Sequence, residues 1–164
     1  MVHAAGGTVS AHGRLRIEHG RNPVARLLAW LLRLPRANPA AETRLVIIPR
    51  RDGEDWHRTI GGRPFRTRQY EGSGGELAER LLGVLELRFR LEVAEGILFY
   101  RPIGVALMLG SRRMRLPAIL RPKVEAREEP AGARQLQIHV RVTLPALGPL
   151  IAYDGLIHIE ESTP

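Results

Sequence analysis

The sequence has no cysteine, which excludes disulfides, thiolate nucleophiles and cysteine-ligated zinc. Aromatic residues make up only 5% of it, too few to interleave with cations as a stacking platform for single-stranded nucleic acid. Lysine is almost missing: Lys123 is the one lysine among 25 basic residues, and the arginines are spread along the whole chain. The longest mostly apolar stretch, Gly96 to Gly110, contains Arg101 and Pro102 and is too short to span a bilayer as a helix. The opening MVHAAGGTVSAHGR has neither the basic start nor the apolar run of a secretory signal. A cytoplasmic protein with no transmembrane segment is therefore expected. The net charge of +8 reads as a solvated basic surface and not as a nucleic-acid footprint, with Arg112, Arg113 and Arg115 the densest place for an anionic partner.

What the sequence does have is strict alternation. From Val84 to Val93, Leu85, Leu87, Phe89, Leu91 and Val93 take every odd position, and Glu86, Arg88, Arg90 and Glu92 take the even ones. Successive strand side chains point to opposite faces, so the pattern belongs to a sheet with one dry and one wet face. It recurs in Val9, Ala11, Gly13, Leu15 and Ile17, and in Leu136, Ile138, Val140, Val142 and Leu144. A chain of 164 residues is long enough to bury a core as a single domain over 1–164, with its ordered part from about 8 to 160.

One helix interrupts the strands. Asn22 caps it, Pro23 takes its first position, and Val24, Leu27, Leu28, Leu31 and Leu34 follow helical spacing, with Trp30 and Leu32 widening the stripe and Pro35 closing it. Only Arg26 and Arg33 are polar, so the helix is expected to be covered against the sheet or to plug an opening. Strands are expected over 8–18, 44–48, 55–60, 65–70, 81–93, 97–109, 124–128, 135–143 and 150–159. Turn signals separate them at Asp52-Gly53, Gly61-Gly62, Gly72 to Gly75, Glu95-Gly96 and Pro130 to Gly132, and Ala78 to Leu82 reads as a brief helical turn. The order predicts a mainly β fold: an antiparallel, strongly curved sheet or closed barrel of about nine strands, lipocalin- or fatty-acid-binding-like, with one helix after the first strand. An open curved α+β sheet around the helix is the alternative.

Period two also nominates a site. In the strand 55–60, Trp56 and Ile60 are the natural inward residues, which places Arg58 inward too. A buried arginine needs a carboxylate, for which Glu71, Glu79 and Asp154 are candidates, or else an anionic ligand head, with Tyr153 as a second donor. Arg101 is a further candidate, because it interrupts the series Ile97, Phe99, Ile103 and Val105, unless the strand bends at Pro102. No catalytic constellation is present: the six histidines match no metal spacing and no serine lies in a nucleophile elbow, so neither a catalytic residue, a metal nor a cofactor is expected.

The string GEDWHRTIGGRPFRT, the prolines of Leu116-Pro117 and Leu120 to Pro122, and the ending PALGPLIAYDGLIHIE carry a resemblance. Together with the opening GRLRIEHG they make the chain similar, over roughly Val2 to Glu160, to an uncharacterised bacterial family, the domain of unknown function numbered 4166. Trp56, Arg58, Gly61, Gly62 and Phe65 carry it most specifically, and Ile60 departs from it, standing where the family tends to have an aromatic. The resemblance implies no activity. It does imply an oxidoreductase partner, because members are often found behind a nucleotide-binding oxidoreductase-like domain. The expected function is a non-catalytic barrel holding an apolar small molecule with an anionic head, bound by Arg58, Tyr153, Trp56 and Arg101; an accessory module for an oxidoreductase and an enzyme with a barrel-enclosed site are the alternatives.

Overall fold

The computed structural model describes residues 7–110, 112–117 and 121–160. Eleven strands and one helix follow in the order β1 (Val9–His19), α1 (Pro23–Leu31), β2 (Asn38–Arg50), β3 (Gly53–Ile60), β4 (Arg63–Glu71), β5 (Leu77–Leu81), β6 (Leu85–Ala94), β7 (Ile97–Leu109), β8 (Arg112–Arg115), β9 (Lys123–Gly132), β10 (Gln135–Leu144) and β11 (Gly148–Glu160). All pairings are antiparallel. β1 through β7 pair in a meander, except that β1 joins β2 across the helix; β1 also pairs β11, which continues through β10 and β9 back to β7. The short β7–β9 ladder, Leu98 to Tyr100 against Ala126 to Glu128, closes the ring. The result is a closed ten-stranded barrel with β8 added as a hairpin on the far half of β7. This closure decides between the two expected architectures, and the helix does lie after the first strand.

Three expected strands run differently, β2 over 38–50, β9 to Gly132 through the turn expected at Pro130 to Gly132, and 81–93 divided between β5 and β6; two short strands are new. Residues 77–81, expected in part as a helical turn, form β5, and 112–115 form β8. In β5 the odd residues Leu77, Glu79 and Leu81 share one face, and pairing on both sides by β4 and β6 supplies ladder partners that a five-residue stretch does not advertise. Residues 118–120 lie outside the described residues.

The packed core fills one side of the barrel. Ala11, Leu15 and Ile17 of β1, Ala41, Leu45 and Ile47 of β2, Trp56 and Ile60 of β3, and Leu150, Ile151 and Ile157 of β11 are buried against Ala25 and Ala29 of the helix. β1 and β11 cross closely enough that a Cβ on Gly13 would stand 2.1 Å from the Leu156 carbonyl oxygen, so only glycine fits there.

Helix α1 starts as expected. The Asn22 side chain accepts from the amides of Val24, at 2.9 Å, and Ala25, at 3.4 Å, and Pro23 needs no amide partner. Its inner face of Ala25, Leu28, Ala29 and Leu32 meets the barrel. The chain returns past Pro35, whose carbonyl accepts from His19 Nε2 at 2.7 Å. The expectation that the whole apolar stripe is covered does not hold: Val24, Leu27, Trp30 and Leu31 face outward and are exposed. One sheet surface can cover only one side of a helix, and this helix is apolar nearly all round.

Candidate ligand cavity

Beyond the packed side, the barrel interior opens into a cavity of about 360 Å³. Its wall is mostly apolar: Leu28, Leu32 and Leu34 below the helix, Leu81, Leu85, Leu87 and Phe89 from β5 and β6, and Ile138, Val140 and Val142 from β10. These are the inward residues of alternating strands, so the dry face found in the sequence lines the cavity.

Into it projects a cluster of polar side chains. Arg58 lies inward between Trp56 and Ile60, its side chain 15% exposed. Its Nη1 donates to Thr67 Oγ1 at 2.7 Å, and both terminal nitrogens reach Glu79 Oε1 at 3.4 Å. The guanidinium also stacks over Trp56, 4.7 Å from the ring centre, and stands 5.7 Å from that of Phe65. Of the three carboxylates weighed as its partner, Glu79 is the one it meets; Glu71 and Asp154 are exposed.

Four further residues complete the cluster. Glu128 accepts from the Tyr100 hydroxyl at 2.6 Å through Oε1, while its Oε2 is buried without a partner among the described residues. Gln69, on β4 opposite Glu79 on β5, likewise leaves Oε1 buried and unpartnered. Tyr153 enters from β11; burial pushes its pKa up to about 12, with Arg58 pulling it down and Glu79 and Glu128 adding to the rise. Its hydroxyl therefore stays protonated and makes no hydrogen bond among the described residues. Tyr100 is raised too, by burial first and then by Glu128. The cavity thus sets one guanidinium, already engaged, against two carboxyl groups, two neutral phenols and an amide. Such a set can orient a guest by hydrogen bonds.

Residues 1–157 match the protein family described as Domain of unknown function (DUF4166). The chain belongs to that family. No curated protein matches it. In this DUF4166 chain the structure brings Arg58, Trp56 and Tyr153 together in the cavity and sets Arg101 apart. Arg101 Nε pairs with Glu92 at 2.9 Å on the outer surface, and its guanidinium lies 4.8 Å from the Phe99 ring. The inward set of β7 is the even one, Leu98 and Tyr100, so Phe99 and Arg101 share the outer face. Glu128, Tyr100 and Gln69 were not singled out in the sequence, yet parity marks two of them: Glu128 follows Val124 and Ala126, and Gln69 follows Phe65 and Thr67, whereas the odd apolar series of β7 points away from Tyr100. Among the described residues, no helix is long and apolar enough to cross a membrane.

Proposed function

We propose that this DUF4166 barrel binds an apolar small molecule whose polar head donates hydrogen bonds, with Glu128 and Gln69 as acceptors, Tyr153 as a third contact and Trp56 as apolar wall. One observation carries the reading: Glu128 and Gln69 both line an apolar cavity of about 360 Å³, and each has a buried side-chain oxygen, Oε2 and Oε1, with no partner among the described residues. A buried acceptor left unmade costs about 1–3 kcal/mol, which a donor on a guest would recover. An anionic head fits less well than Arg58 alone suggests, because Arg58 is engaged by Glu79 and Thr67 and a second carboxyl group stands opposite.

The test compares guests of equal chain length and different head. Isothermal titration of delipidated protein with a medium-chain fatty alcohol and with the matching fatty acid should show the alcohol binding one per chain and at least about tenfold more tightly, a difference of about 1.4 kcal/mol. Native mass spectrometry of the same samples reads the bound mass. An acid that outbinds the alcohol overturns the donor head, and a cavity that takes neither overturns the binding function.

A further inference from the structure

The outer face of α1 is a large apolar surface that the barrel leaves uncovered. Val24, Leu27, Trp30 and Leu31 lie on it at 49%, 54%, 69% and 54% exposure, on a helix of nine residues. Scattered exposed apolar residues need no explanation, but four adjacent large ones on one helix face do. The charge around them is of one sign. Between Glu18 and Glu42 the chain has no acidic residue, and Arg21, Arg26, Arg33 and Arg36 are all exposed there. None of the four pairs with a carboxylate among the described residues.

We propose that this face docks on an anionic lipid surface, the apolar residues entering the headgroup boundary and the arginines meeting lipid phosphates. The chemistry fits that occupant better than others. A lipid interface takes an indole ring and aliphatic side chains at one depth and attracts cations at the next. Long arginine stems can lie along the apolar surface while their heads reach the phosphates. A second copy in two-fold arrangement would set two such arginine groups against each other, with no acid between them. The inner face of the same helix lines the barrel cavity through Leu28 and Leu32, so docking would hold the cavity's helical cover at the membrane. The proposal does not depend on what the cavity holds.

The two tryptophans make the test direct. Trp56 is 6% exposed inside the barrel and gives a constant signal, while Trp30 reports the docking face. With the full chain and phosphatidylglycerol–phosphatidylcholine vesicles, the protein should co-sediment and its fluorescence shift to the blue; Trp30→Phe should abolish the shift with little loss of sedimentation. Pure phosphatidylcholine vesicles should bind far less. Leu27→Asp with Leu31→Asp, both exposed positions, should abolish sedimentation with the circular dichroism spectrum unchanged. Arg26→Gln with Arg33→Gln should weaken partition about twenty-five-fold, each cation near an anionic surface contributing about fivefold. The proposal is overturned if the protein ignores anionic vesicles, if the aspartate variant sediments equally well, or if wild type is instead a dimer that the aspartate variant dissolves.

Discussion

The Arg58 guanidinium lies over the Trp56 ring, 4.7 Å from its centre, because the two side chains are neighbours on the inward face of one strand. From the other side it meets Thr67 and Glu79. Arg58 therefore acts first as the counter-ion of an inward carboxylate. Arg58→Met removes that counter-ion while keeping the apolar contact with Trp56. It should destabilise the protein by about 2–4 kcal/mol, since a buried pair loses more when one partner is removed than when both are. Adding Glu79→Leu should recover most of the loss. Chemical denaturation of the two variants checks this, and a double variant as unstable as the single one would mean that Arg58 contributes through some other contact.

The two cavity tyrosines should behave oppositely. Tyr100→Phe strips Glu128 of its hydrogen bond at 2.6 Å and leaves a carboxyl group without a partner, so stability should fall by about 1–3 kcal/mol. Tyr153→Phe removes a hydroxyl that makes no hydrogen bond among the described residues, so stability should change by less than about 0.5 kcal/mol. Affinity for a fatty alcohol should drop in the Tyr153→Phe protein despite its intact fold. Equal stability losses in the two variants would contradict this division of roles.

The architecture was legible because period two is a direct imprint of a half-buried strand. Leu85 to Phe89 and Leu136 to Leu144 declared their inward faces, though Val93, expected on the dry face, is 72% exposed beyond the covered part of its strand, and Trp56 carried Arg58 inward with it. The cavity cluster was only partly legible. An inward polar residue looks in sequence like an outward one, and it is recognised only by counting parity from a secure apolar neighbour. The same count fails at Arg101, because β7 starts on an even inward set and its register against β6 shifts between Arg88 and Phe89. Two features were beyond local pattern altogether: ring closure, which rests on the three-residue ladder of β7 with β9, and the uncovered half of α1, which depends on how much sheet there is to cover it.

The close pairing of β1 with β11 should be sensitive to a single methyl group. Gly13 stands opposite Ile157, and a Cβ there would lie 2.1 Å from Leu156 O, a backbone atom that cannot swing away. Gly13→Ala should cost about 1–3 kcal/mol, the usual range for overpacking. Gly62→Ala provides the contrast: that glycine has open space beside it but a φ of +76°, so its cost is conformational and about 1 kcal/mol. Thermal unfolding distinguishes them, and a Gly13→Ala protein as stable as wild type would show that the pairing can open without penalty.

The outer face of the barrel holds a pH dependence on the acid side. Glu86, on the wet face of β6, is only 2% exposed because arginines close over it: Arg88 Nε and Arg113 Nε each lie 3.0 Å from Oε1, Arg80 Nη2 lies 3.3 Å from Oε2, and the Tyr70 hydroxyl donates to Oε2 as well. Burial by itself would push the carboxyl up, but the hydrogen bonds from Tyr70, Arg88 and Arg80 and the charge of Arg113 outweigh it and hold the pKa at about 2. In the unfolded chain the group returns to the ordinary glutamate value of about 4.3. A depressed folded value means that this contribution, on the order of 3 kcal/mol, is complete above about pH 4.5 and is lost as pH falls toward 2. Glu86→Gln should be less stable than wild type at neutral pH by a similar amount, since three arginines lose their common partner. The difference between the two proteins should then shrink steadily between about pH 4.5 and 2, as wild-type Glu86 takes up its proton. Urea unfolding of both across that window measures it. A difference that stays constant down to pH 2 would mean that Glu86 does not titrate there and that the arginine cluster is not what holds it ionised.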